Sequence, residues 1–288
     1  TQANTTNFLN VKFFAVIGIT LINSARELCL DDISEIRKNV QIDIEVFVHG
    51  ALCMAVSGKC YLSLDNMNSS ANRGACMQLC RRSYLVKDKE EEIEFEVDHA
   101  YIMSPKDLCT IGFLDKIINA GVRVLKIEGR GRAPDYVHTV TRCYREAIDS
   151  IAEGAYSREK IADWSKQLAS VFNRGFWDGY YLGKKLGEWT ENYGSQASKT
   201  KVFVGKVTNY FSNLKVAEIK METGDINVGD ELLITGTATG VVEMKISEIR
   251  VDLTNKDSAL KGEVCSIPVT KLLRRNDKVY KLVEAECL

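Results

Sequence analysis

The chain has few histidines, no long apolar run and almost no net charge. Its three His (His49, His99 and His138) lie far apart and no His-Glu-x-x-His pattern occurs, so zinc-peptidase chemistry lacks its usual ligands. The longest apolar stretches, such as Phe13 to Ile19 and Ala51 to Val56, fall well short of a membrane-crossing helix, and no basic segment leads into an apolar core as in a secretory leader. With 38 Lys plus Arg against 39 Asp plus Glu the net charge is −1, so a nucleic-acid partner must be held by a local basic patch rather than by the field of the whole molecule. What remains is an ordinary globular composition, 45% hydrophobic and 27% charged over 288 residues, with room for two domains. The opening Thr1-Gln-Ala-Asn-Thr-Thr-Asn7 reads as the middle of a fold, so a fragment of a longer protein is expected.

Cysteine, by contrast, is plentiful. Nine thiols, an odd number without a leader, point to a reducing, cytoplasmic setting where they ligate metal or react rather than pair. Cys29, Cys109, Cys143, Cys265 and Cys287 are scattered and read as small hydrophobes or incidental thiols. Cys53, Cys60, Cys76 and Cys80 instead form Cys-x6-Cys-x15-Cys-x3-Cys, with Ser57, Gly58, Asn72 and Gly74 between them. Four thiolates with no neighbouring His suit either structural zinc or an iron–sulfur cluster. Neither spacing is the Cys-x2-Cys knuckle of a zinc ribbon, which tilts the choice towards a cluster, and four unligated thiols are the plain alternative.

Charge and periodicity lay out the rest. Asp31 and Asp32 opening, and Arg37 and Lys38 closing, a segment predict a helix over 30–39, with another over 8–17. Strands are predicted over 19–22 and 42–48, the second alternating Ile42, Ile44, Val46 and Val48 before His49. A cysteine loop fills 49–82, and a hairpin turning on the acidic run Glu90-Glu91-Glu92 fills 84–103. Ser104 and Pro105 read as cap and first turn of a helix over 104–119, which Gly121 ends; a strand over 122–127 and a helix over 134–153 follow. This alternation is an α/β fold with parallel strands, too few to close a barrel alone. Residues 155–200 read as helix and then a polar, aromatic stretch in which Phe176, Trp177, Tyr180 and Tyr181 are either a stacking platform or, as the helical spacing of 176 and 180 favours, core packing, and 194–200 is linker-like. Six short strands (202–207, 214–219, 231–235, 241–249, 263–267 and 278–282) predict a small antiparallel β-barrel. Over 201–286 its 13 Lys plus Arg balance 13 Asp plus Glu, and Lys271, Arg274 and Arg275 form either an RNA-gripping patch or a solvated face. The domains are therefore 1–195, with a cysteine-rich insertion at 49–103, and 201–288.

Several polar residues carry both a chemical and a structural reading. Lys126, Glu128 and Arg130 alternate along a strand and its exit, where the cations would suit a dicarboxylate, or where the three form a structural ion-pair network. Arg26, Glu27 and His49 share that ambiguity; His49 is an acid, a base or a hydrogen-bonded core histidine. Arg81, Arg82 and Tyr84 follow the last cysteine and either hold phosphate and stack a base or cap the charge of a metal site.

The stretch Glu45-Val-Phe-Val-His-Gly-Ala-Leu-Cys53, then Ser57-Gly-Lys-Cys60-Tyr-Leu-Ser63, then Asn72-Arg-Gly-Ala-Cys76 to Cys80-Arg81, resembles the signature of peptidase family U32, the collagenase-like proteases. Ala25-Arg-Glu-Leu28, Lys126-Ile-Glu-Gly-Arg130 and residues 201–286 resemble its other blocks, so the likeness spans essentially the whole chain. The resemblance implies the second half of a TIM-like (β/α) barrel, lacking roughly its first four strands, which the rest of the full-length chain would supply, followed by a small antiparallel β-barrel. It is nearest to the tRNA-hydroxylating members, because all four cysteines stand uninterrupted. It then implies a 4Fe-4S cluster on Cys53, Cys60, Cys76 and Cys80, with Cys109 a spare ligand and Gly50, Gly58 and Gly74 letting backbone approach the sulfurs. It further implies catalytic roles for His49, Lys126, Glu128, Arg130 and Glu27, and substrate binding by Arg26, Arg81, Arg82 and Tyr84. The expected reaction is oxygen-independent hydroxylation of tRNA wobble uridine to 5-hydroxyuridine, with prephenate as co-substrate and hydroxyl donor; rRNA or a peptide are the alternative substrates. The family name carries a second reading, a peptidase whose nucleophile would be a cysteine near His49. Zinc in place of the cluster gives a third, a metal-stapled RNA-binding module.

Overall fold

A computed structural model describes residues 3–82, 84–87, 89–90, 94–97, 104–184, 187–190 and 194–285. The chain divides into two units, Thr1–Gly131 with Val140–Gln196, and Arg132–Thr139 with Ala197–Leu288. Among the described residues no helix is long and apolar enough to cross a membrane.

In the first unit α1 (Phe8–Val16) starts where the Asn7 side chain accepts from the Asn10 N–H, and leads to β1 (Leu21–Asn23). α2 (Leu30–Asn39) buries Ile33 and Ile36 and sets Asp31 and Asp32 at its positive end, Arg37 and Lys38 at its negative end. Arg37 reaches past that end to donate to the Ile42 carbonyl (2.9 Å), tying helix to β2 (Asp43–Ala51). On β2, Ile44, Val46 and Val48 are buried, while Glu45 and Phe47 face the opposite way, as a period of two requires.

The cysteine loop follows, holding α3 (Leu62–Met67) and two short 3-10 turns, and then β3 (Tyr84–Lys87) and β4 (Glu94–Val97) pair as a hairpin. Glu91 and Glu92 of the expected acidic turn, and the end of the hairpin at 98–103, lie outside the described residues. After them come β5 (Asp107–Cys109), α4 (Leu114–Asn119), β6 (Val124–Ile127), α5 (Pro134–Ala152), α6 (Arg158–Ala169) and β7 (Phe176–Trp177). Glu45 pairs with both Asn23 and Val124, and His49 with both Cys109 and Ile127. β6 therefore runs along one edge of β2, and β1 and β5 share the other. β1, β2 and β6 are parallel, as crossover helices dictate, whereas β5 is antiparallel to β2 and β7 parallel to β5.

The helix expected over 104–119 is present only as α4. Ser104 and Pro105 form no cap: Pro105 bridges to Trp189, and the backbone of Asp107–Cys109 is taken by β2 and β7. Asp107, buried beside Arg174 (3.4 Å), anchors this extended stretch, so long-range pairing overrides a local helix-start signal.

The second unit contains β8 (Lys199–Phe211), β9 (Val216–Met221), β10 (Asp225–Asn227), β11 (Glu231–Gly236), β12 (Gly240–Lys245), β13 (Ile249–Val251), β14 (Thr254–Lys256), β15 (Ser258–Leu260), β16 (Val264–Pro268) and β17 (Lys278–Glu284). Eight of them form one antiparallel sheet in the order β12-β11-β17-β8-β9-β16-β13-β14, and β10 pairs with β15. Val242 of β12 and Ile249 of β13 stand near opposite ends of this ladder yet share one buried core with Ile219, Leu232 and Val279, so the sheet curls. It does not close, and the expected barrel is corrected to a curled, open sheet. β14, its three side chains exposed, folds back on β13 through Asp252 and Leu253, and at the other end of the order β12 pairs, among the described residues, with β11 alone.

Candidate functional site

All four loop cysteines are half-buried and line one cavity of about 310 Å³ in the first unit, beside Arg26, Arg81, Lys126, Glu128 and Arg130. A clamp lies close to each cysteine in sequence. The Arg81 guanidinium donates to the Leu52 carbonyl, the Ser104 hydroxyl and the Pro105 carbonyl, each at 2.7 Å, fastening the residue before Cys53 to the residue after Cys80. Asn72 accepts from the Cys60 N–H (3.3 Å), and Arg130 donates to the Gly74 carbonyl (3.0 Å) just before Cys76. Glu27 accepts from both the N–H (2.8 Å) and the hydroxyl (3.2 Å) of Ser57, whose oxygen in turn accepts from Arg26 Nε (3.4 Å). The second Glu27 oxygen is buried without a hydrogen-bond partner among the described residues.

The chemistry of this donor set suits a soft metal group. Gln78, held in the left-handed region at φ 52°, donates its N–H to Cys76 Sγ (3.4 Å), the kind of bond that stabilises a thiolate. Burial pushes the Cys80 thiol up; the Arg81 cation opposes this, and Cys53, Cys76 and Cys60 add to it, so the four sulfurs sense one another across a shared space. Among the described residues no three His, Cys, Asp or Glu side chains form a group that could hold one metal ion. Four thiols on one cavity wall are the donor set that a zinc ion or an iron–sulfur cluster takes.

Lys126, Glu128 and Arg130 of the cavity wall come from β6 and its exit. Lys126 lies 2.9 Å from Glu45 Oε1 and 5.3 Å from the Phe47 ring centre, and Asn23 donates to the same Glu45 oxygen. Burial alone would raise the Glu45 carboxyl, but the Lys126 ammonium and the Asn23 amide hold it below the usual carboxylate range. Glu128 accepts from the Arg130 N–H (2.7 Å) and donates its own N–H to the His49 carbonyl (2.8 Å).

His49, Tyr84 and Arg82 are placed elsewhere. His49 is buried, its ring 5.5 Å from those of Tyr144 and Phe176, with Nδ1 3.4 Å from the Tyr144 hydroxyl. Cys109 stands opposite it across β2 and β5, and burial pushes that thiol up to about 11, the reverse of an activated nucleophile. Tyr84 donates its hydroxyl to the Leu79 carbonyl (2.8 Å), and Arg82 is exposed. Trp177 and Tyr181 are buried, although β7 and a turn, not a helix, carry them.

Glu45, Phe47, Ser57 and Asn72 belong to the site and went unassigned from the sequence. Glu45 and Phe47 are visible in hindsight as the residues alternating with the buried face of β2. The contact of Asn23 with Glu45 depends on strand register, which no local pattern carries.

Known proteins agree with the motif. The sequence profile of peptidase family U32 matches residues 1–191. A Porphyromonas gingivalis protein named "Collagenase" is 52% identical over 99% of this chain and 72% of its own length. "tRNA hydroxylation protein P1" of Bacillus subtilis is 33% identical over 82% of this chain and 57% of its own length. "23S rRNA 5-hydroxycytidine C2501 synthase" of Escherichia coli is 42% identical over 65% of this chain and 29% of its own length. With a matching profile over most of its first unit and relatives this similar, the chain belongs to peptidase family U32.

Proposed function

We propose that the first unit is the metal-binding part of an oxygen-independent RNA hydroxylase, acting on tRNA wobble uridine to form 5-hydroxyuridine with prephenate as hydroxyl donor. The observation that carries this reading is one cavity lined by four cysteines and, next to them, Arg26, Lys126 and Arg130. The names of the Bacillus and Escherichia relatives support it. The parallel strands β1, β2 and β6 are read as part of a larger TIM-like barrel, and a tRNA substrate would place the protein in the cytoplasm.

Cys53, Cys60, Cys76 and Cys80 would hold a 4Fe-4S cluster, which when bound supplies one-electron chemistry at a sulfur-lined wall. Arg26 and Arg130 keep guanidinium N–H groups beyond those spent on Ser57 and Gly74, and these orient a dicarboxylate. Lys126, steered by Glu45 and lying near the Phe47 ring, adds positive charge without flexing freely. Glu128 faces the same space and is positioned to accept or return a proton. Arg81 is engaged in holding the loop and acts through the cysteines.

The test is mass spectrometry of tRNA nucleosides from cells lacking the gene, complemented with the wild-type gene or with Cys53→Ala. The account expects hydroxylated wobble uridine to return only with the wild type; full modification in the uncomplemented strain would overturn it. A second reading, a peptidase, is favoured by the name of the Porphyromonas relative. It requires a thiolate near His49, and degradation of denatured collagen by the Cys53→Ala variant at the wild-type rate would support it.

A further inference from the structure

The second unit has a concavity of its own, of about 380 Å³, lined in part by the edge strand β12. Three segments wall it: the turn between β8 and β9, β12 itself, and the chain leaving β16. Leu214, 72% exposed, and the half-buried Met244 give it apolar surface. Lys215, Lys245 and Lys271, one from each segment, stand around it. Among the described residues none of the three has an ion-pair partner, whereas Lys199, Lys206, Lys256 and Lys281 on the same unit each meet a carboxylate. The Lys215 carbonyl accepts from the Val269 N–H (2.8 Å), which joins the turn carrying Lys215 to the segment carrying Lys271. Glu243 is the carboxylate in the lining, and Arg274 and Arg275 follow Lys271 closely in sequence.

We propose that this concavity binds a nucleotide of a single-stranded RNA segment, with phosphates held by the three lysines and a base against Leu214 and Met244. The proposal rests on the RNA reading of the first unit and adds to it a contact on the second. Three ammonium groups gathered from separate segments around one concavity, against the single carboxylate of Glu243 in its lining, call for an anion, and the apolar surface calls for one with a flat hydrophobic body.

The experiment measures binding of the chain to a fluorescein-labelled single-stranded RNA oligonucleotide by anisotropy, across a range of salt. Wild type is compared with the triple variant Lys215→Ala, Lys245→Ala, Lys271→Ala and with a charge-matched control, Lys206→Ala, Lys261→Ala, Lys278→Ala. The pocket variant should lose ~10-fold or more in affinity, and its slope of log K against log salt should become shallower by about 2, as expected for three lost single-strand phosphate contacts. The control should stay near wild type, and inorganic phosphate should compete only weakly. Wild-type affinity in the pocket variant, equal losses in both variants, or no RNA binding by wild type would each overturn the proposal. The nucleoside analysis with Cys53→Ala is read separately, so a failed pocket with intact cysteine-dependent hydroxylation would leave the first-unit reading standing.

Discussion

Arg81 and Arg130 line the same cavity but spend their guanidinium groups differently. Among the described residues Arg81 makes three hydrogen bonds that bracket the cysteine loop, whereas the Arg130 side chain makes one, to Gly74. With each net bond worth about 1 kcal/mol, Arg81→Ala should lower stability by about 2–3 kcal/mol and reduce bound metal, measured by urea denaturation and metal analysis. Arg130→Ala should cost about 1 kcal/mol or less and act on substrate affinity instead. Arg81→Lys should behave like the alanine variant, because an ammonium cannot reach three acceptors in a planar fork. Adjacency to Cys80 made Arg81 visible as a candidate in the sequence; its acceptors at Leu52, Ser104 and Pro105 are distant in the chain, so its positioning role was not legible. The four cysteines and the Lys126 to Arg130 run were legible because their spacing is local, whereas Glu45 and Ser57 enter through register and loop closure.

At the scale of elements, α2, β2 and α5 could be read in advance because end charges, period-two burial and a long amphipathic pattern are properties of the segment alone. β5 could not, since Asp107–Cys109 is extended only because β2 and β7 take its backbone. β13, β14 and β15 are three residues each, too short to show alternation. Close approach also decides one glycine: a Cβ on Gly205 would lie 2.1 Å from the Lys220 carbonyl oxygen of the neighbouring strand. Gly205→Ala should therefore push β8 off β9 and cost about 2 kcal/mol. In a melting curve that is a fall of roughly 10 °C for a unit of this size.

For the whole molecule, seven of the eight described cysteines fall into two groups, with Cys29, at the start of α2, in neither. Cys53, Cys60, Cys76 and Cys80 open onto the cavity, while burial pushes Cys109, Cys143 and Cys265 up from 9.0 to about 11. A thiol whose folded value is raised stabilises the fold fully below its unfolded value and loses that contribution as pH rises through the folded one. Melting temperature should therefore hold to about pH 9 and fall between about pH 9 and 11, and a Cys265→Val variant should show a shallower fall. In metal-stripped protein at neutral pH, alkylation followed by peptide mapping should label the cavity cysteines well before Cys143 and Cys265.

The central claim is that those four cavity cysteines hold an iron–sulfur cluster. Iron, acid-labile sulfide and zinc should be counted in the protein isolated without oxygen, beside a Cys53→Ala, Cys76→Ala variant. The account predicts about four iron and about four sulfide per chain, lost in the variant. One zinc without iron, or a wild type as metal-free as the variant, would contradict it.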